Sequence, residues 1–140
     1  MSGHSAGGHL TAMALANDWT KEGIPQDCIK GAVATSGVYD LDMVMKISVQ
    51  EQVRMTPEVA KLNNPFENQP HVKCPLILAV GSAEPKGWQQ MSEDYFHYAK
   101  QHGMIAEYLV VPGANHYTMS EKLLDDTNSL TQAMIKQMGI

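Results

Sequence analysis

The chain has little of what would point away from an ordinary folded enzyme. Its two cysteines, Cys28 and Cys74, have no metal-ligand spacing, and both are expected as free buried thiols. None of the six histidines is paired at a metal-binding interval, and no Met-Cys-His cluster accompanies the ten methionines, so no metal is expected. The methionines read instead as adaptable core and pocket filler. Charge is scarce, at 18% of residues, and the net charge of -5 leaves no basic patch. That disfavours nucleic acid and anionic membrane surfaces as partners. No apolar run approaches the length of a membrane span, and no charged-then-apolar leader opens the chain, so the cytoplasm is the default location. Internal repeats and low-complexity segments are also missing. What remains, at 140 residues and an ordinary 44% hydrophobic content, is one globular domain.

The chain is organised around Gly3-His4-Ser5-Ala6-Gly7-Gly8-His9-Leu10. Gly-x-Ser-x-Gly is the pattern of a nucleophile elbow, a tight strand-to-helix turn that lifts a serine hydroxyl clear of the backbone. Gly3 and Gly7 are expected to be glycines because a Cβ at either place would collide with its surroundings. Ala6 to Ala16 is alanine-rich and predicts a helix of about three turns. Its first free N–H, that of Ala6, is placed to receive an oxyanion. Only Met1 and Ser2 precede Gly3, so the strand that should lead into the elbow is expected to be missing.

Three further stretches support the elbow. Ile29 to Gly37 and Pro75 to Gly81 read as buried strands, and Ala106 to Val111 as a third. Helices are predicted around Leu41 to Val53, after Thr56-Pro57, over residues 88–102 with Gly103 as the stop, and over Ser120 to Met138 with Leu123, Leu124, Leu130, Met134 and Ile135 towards one face. Alternating strand and helix means an α/β fold with a parallel sheet of about three strands and about four flanking helices. Glu84 and His116 both stand in turns just past a strand's carboxyl end, where open α/β sheets gather their site residues. With Ser5 they give the order serine, acid, histidine. His116 would act as the base towards Ser5, and Glu84 would hold its tautomer. Asp40 is a rival acid, with a helix N-cap as its other role. His4 and His9 flank the elbow and could line a pocket, while His71, His97 and His102 read as loop or exposed helix residues.

Together, the elbow, Ser36-Gly37-Val38-Tyr39-Asp40-Leu41, the Pro75 to Gly81 strand with Glu84, and Gly113-Ala114-Asn115-His116-Tyr117 resemble the C-terminal half of an α/β-hydrolase. The branch most similar is the small esterases related to kynurenine formamidase (arylformamidase). The resemblance implies a serine hydrolase working through an acyl-enzyme with no cofactor. It also implies Ser5, Glu84 and His116 as the catalytic residues, Ala6 N–H in the oxyanion hole, and His4 and Tyr117 beside a small ester or amide substrate. Carboxylic ester cleavage is the leading reading, hydrolysis of an N-formyl aromatic amine the alternative, and a non-catalytic interaction module the reading from outside enzymology. Two departures stand out: the family's acid is usually Asp, and the His-Gly-Gly loop that gives a second oxyanion donor is absent. Residues 1–140 are therefore expected to be a partial domain starting at the elbow, with an exposed sheet edge offered to a second copy.

Overall fold

Parallel pairing organises the computed structural model, which describes residues 1–140. Four strands, β1 (Ser2–His4), β2 (Ala32–Thr35), β3 (Pro75–Gly81) and β4 (Ile105–Val111), lie in the order β1-β2-β3-β4. All three pairings are parallel, in registers such as Gly3 with Ala34, Ala34 with Leu78, and Leu78 with Tyr108. The α/β class is as expected, but there are four strands rather than three. The strand into the elbow is present, three residues long. Glycine and serine give it no β-propensity of its own, and it is a strand because β2 supplies its ladder. The second strand is shorter than expected: it begins only at Ala32 and ends at Thr35, where Ser36 turns into the left-handed region at φ 48°.

Six α-helices accompany the sheet: α1 (Ala6–Ala16), α2 (Leu41–Val44), α3 (Gln50–Val53), α4 (Pro57–Asn63), α5 (Lys86–Gln101) and α6 (Ser129–Met138). The helix expected over Leu41 to Val53 is two single turns. Ile47, Ser48 and Val49 interrupt it, since β-branched residues and serine favour helix poorly. Asp40 caps α2, accepting from Asp42 N at 3.0 Å and Met43 N at 3.2 Å, and Thr56 caps α4 through Val59 N. The expected last helix is also split. Asp125 accepts from Thr127 N, and Asn128 accepts from Leu130 N to start α6 afresh. Leu123 and Leu124, assigned to the apolar face, lie exposed in a 3-10 turn, while Leu130 is buried. Gly103 does follow α5 with φ 80°.

The alternation along the central strands explains the layers. Ala32, Ala34, Leu76 and Leu78 face α1 and α5, packing on Ala12, Leu15, Met91, Tyr95 and Ala99. Val33, Ile77 and Ala79 face the opposite way, onto Val111, Met119 and Leu130. Strands buried on both faces are apolar, and here only Thr35, at the carboxyl end of β2, departs from that. Tyr39 and Tyr95 stack at 4.3 Å within the first layer, and burial raises both phenols above their ordinary range. Cys74 is buried as expected, whereas Cys28 is exposed, because it precedes β2 in a loop. No helix is long and apolar enough to cross a membrane.

The glycines at the elbow are only partly as expected. A Cβ on Gly3 would stand 2.1 Å from Gly7 O, but one on Gly7 would meet nothing within 4 Å. The second tight position is Gly8, where a Cβ would lie 2.6 Å from the Gly37 Cα as α1 crosses the end of β2. Backbone cannot yield as a side-chain tip does. Gly8→Ala is therefore expected to destabilise the fold by about 1–3 kcal/mol, read as a lower denaturation midpoint, and Gly7→Ala by much less. Equal midpoints for the two variants would contradict this packing.

Candidate active site

Each strand delivers one part of the site at its carboxyl end. β1 ends at Ser5, whose N–H donates to Thr35 O at 3.0 Å and whose backbone sits at φ 56°, ψ -116°. A serine held in such a conformation costs on the order of 1–3 kcal/mol and persists only where its surroundings enforce it. Here the β1 ladder on one side and the start of α1 on the other enforce it. Ala6 opens α1, so its N–H has no acceptor within the helix.

The β4 turn brings His116 over the serine, with Nε2 2.9 Å from Ser5 Oγ. On the other side of the ring, Nδ1 is 3.0 Å from Glu84 Oε2. A carboxylate only accepts, so the proton belongs on Nδ1, and Nε2 is left as the acceptor for the Ser5 hydroxyl. The Glu84 side chain is fully buried. It would be costly there without partners. Its Oε1 takes two donors, Gly81 N–H at 2.9 Å and the Ser36 hydroxyl, so both carboxyl oxygens are engaged.

The imidazole of His116 is held on several sides. His4 lies at 4.8 Å between ring centroids, Trp88 meets it edge-on at 4.8 Å, and Tyr117 at 6.0 Å. Trp88 is itself tied down, its indole N–H donating to Ser36 O at 3.0 Å. Among the sequence candidates, the structure thus brings Ser5, Glu84 and His116 into one hydrogen-bonded line and sets His4 and Tyr117 against it. His9 goes elsewhere, its Nε2 2.9 Å from Asn63 O, tying α1 to α4. Asp40 is committed to capping α2. His71 and His97 are exposed as expected, and His102 is half-buried with Nδ1 on Tyr98 O. Ser36 and Trp88 were not singled out from sequence. The available signal was positional, since Ser36 follows a strand end just as Ser5, Glu84 and His116 do.

His4 has a consequence for pH. Burial first, and the neighbouring His116 second, hold its imidazole below the ordinary 6.5. Unfolding would restore proton affinity, so the folded state gains from neutral His4 above that value and loses the gain as pH falls through the lowered one. The melting temperature is expected to decline as pH drops from about 7 to about 5, with a shallower decline in His4→Gln. An identical slope in the variant would assign the dependence to other groups.

Four parallel strands flanked by helices, with a serine at a strained strand-to-helix turn and its partners on later strand ends, define an α/β-hydrolase fold. The sequence profile of the prolyl oligopeptidase family matches residues 1–137, and the chain belongs to that family. It is 37% identical over 146 residues to the kynurenine formamidase of Salmo salar and 35% identical over 144 residues to that of Danio rerio. Each alignment takes in 99% of this chain and 49% of the relative, so the chain spans about half the length of the curated relatives it matches. A solved protein of Silicibacter sp., provisionally described as a thioesterase, superposes with a TM-score of 0.74 at 26% identity, over 94% of this chain and 48% of that one.

Proposed function

We propose that this chain carries the nucleophile, base and acid of a serine hydrolase whose substrate is an N-formyl aromatic amine. The observation that carries the chemistry is the unbroken line Ser5 Oγ, His116 Nε2, His116 Nδ1, Glu84 Oε2, at 2.9 Å and 3.0 Å. In this reading Ser5 Oγ attacks the formyl carbon while its proton passes to His116 Nε2. The oxyanion is met by the Ala6 N–H at the start of α1. His116 then protonates the leaving nitrogen, the C–N bond breaks, and water attacks the formyl-enzyme with the same histidine as base. Formate and a free amine leave.

The leaving group must lie on the His116 side, since His116 gives it the proton. Beside His116 lies a cleft of about 440 Å³ lined by Glu84, Pro85, Trp88, Asn115, His116 and Tyr117, and this reading places the leaving group there. Trp88 and Tyr117 offer aromatic surface to an aryl amine. The names of the relatives at 35–37% identity agree with that substrate class. Carboxylic ester cleavage is the second reading, favoured by the same relay, because an ester's leaving group makes a weaker demand on the acid. Comparing kcat/KM for N-formylkynurenine with that for p-nitrophenyl butyrate separates them. Preference for the formamide is expected; preference for the ester would make this a carboxylesterase. Turnover of neither, with Ser5 inert to a fluorophosphonate probe, would favour the non-catalytic reading.

A further inference from the structure

Glu84 presents a problem that an aspartate would not. It carries an extra methylene and an extra torsion, so a chain of rotatable bonds stands between its backbone and the oxygen that meets His116. An acid that orients a histidine must itself be oriented. One of its anchors is local: Gly81 N–H, from the last residue of β3, holds Oε1 at 2.9 Å. That bond fixes the carboxyl relative to the strand that leads into its own turn and to no other element. The second anchor crosses the sheet, from the Ser36 hydroxyl on the neighbouring strand end to the same Oε1.

Ser36 is built for that contact. It is wholly buried and sits at φ 48°, a region that penalises a residue with a Cβ. Its N–H donates to Ala79 O at 2.7 Å and its carbonyl accepts from the Trp88 indole at 3.0 Å. The strained backbone is thus pinned to β3 on one side and to α5 on the other. The hydroxyl's single partner is Glu84. The indole that grips Ser36 O is the one whose edge packs on His116 at 4.8 Å. One residue thereby connects the acid to the aromatic wall of the base.

We infer that Ser36 is a positioning residue: its hydroxyl locks Glu84 in the rotamer that presents Oε2 to His116 Nδ1. The inference rests on the reading of Ser5, His116 and Glu84 as a catalytic relay. Without the hydroxyl, Oε1 keeps only the Gly81 N–H and the carboxyl group can swing about it. Substrate contacts are untouched, so the loss falls on kcat and not on KM.

Two substitutions in the full chain test this. Ser36→Ala removes the hydroxyl but keeps the penalty of the left-handed backbone, whereas Ser36→Gly removes both. The readouts are the downfield proton NMR resonance of the His116 Nδ1–H, the rate of Ser5 labelling by a fluorophosphonate, and kcat and KM for the formamide. Both variants are expected to broaden or lose the resonance and to label roughly tenfold more slowly, with kcat lower by a similar factor and KM unchanged. A sharp resonance and unchanged labelling in both variants, beside a wild type that shows both signals, would overturn the inference and leave the hydrolase reading standing. An effect confined to Ser36→Ala would also overturn it, by assigning the change to backbone strain. A wild type with neither the resonance nor Ser5 labelling would instead remove the relay reading itself.

Discussion

Ser5→Ala is expected to lower turnover by on the order of 10⁶-fold, because nucleophile, base and acid act as a unit and removing one forfeits nearly all that the group supplies. The geometry makes the expectation specific. Ser5 Oγ is the only atom hydrogen-bonded to His116 Nε2, so an alanine there leaves the base with no proton to take. The fold should survive, since the backbone that holds residue 5 at φ 56° is set by Thr35 O and the start of α1, not by the hydroxyl. Alanine pays the same left-handed penalty as serine, so a melt of the variant should match that of the parent closely. The measurement is kcat for the formamide together with fluorophosphonate labelling. A loss below about tenfold would mean that Ser5 is not the nucleophile.

How much of this was legible in the sequence varies with the range of the interactions that decide it. Pro75 to Gly81 was readable as a strand because every residue is apolar, which a strand buried on both faces requires. α1 was readable from its alanines, and the caps at Asp40 and Thr56 from residue types that bond their own next turn. Ser5 was singled out by the Gly-x-Ser-x-Gly motif, and Glu84 and His116 because each stands in a turn past a strand's carboxyl end, a rule that needs only the order of elements. β1 was not readable, since three residues including a glycine carry no pattern and are a strand only because β2 lies beside them. The break between Leu124 and Ser129 was missed because apolar spacing continues across it, while the side-chain bonds of Asp125 and Asn128 end one element and start the next. Ser36 was the hardest case. Its partner is 48 residues away, and nothing local in Thr35-Ser36-Gly37 distinguishes a hydroxyl that holds a carboxylate from one that ends a strand.

The site also explains why such a chain tolerates backbone strain at two serines. Ser5 and Ser36 both have positive φ, at 56° and 48°, and both follow a parallel strand on adjacent positions in the sheet. Each turns its chain sharply, and the two hydroxyls bond to opposite ends of one line, Ser5 to His116 and Ser36 to Glu84. The central strands hold the turns in place: Ser5 N–H is bonded to β2 and Ser36 N–H to β3. Strain at the tips is thus supported by the apolar layers below them, which is how a stable sheet can present a reactive edge.

Glu84→Gln is expected to leave the fold intact and lower turnover by on the order of 10⁴-fold, through the wrong tautomer of His116. The direction follows from the donors around the carboxyl group. Gly81 N–H is a fixed backbone donor aimed at Oε1, so the glutamine must put its carbonyl oxygen there. Its amide nitrogen then occupies the place of Oε2, 3.0 Å from His116 Nδ1. Two N–H groups cannot face each other at that distance, and the imidazole responds by moving its proton to Nε2. There it points at Ser5 Oγ and cannot accept the serine's proton. The amide also carries no charge to stabilise the imidazolium that forms when His116 does act. Asp40→Asn is the control, because asparagine caps a helix as well as aspartate does and Asp40 accepts only from Asp42 N and Met43 N. That variant should keep turnover close to the parent's. A crippled Asp40→Asn beside a healthy Glu84→Gln would transfer the acid's role to Asp40.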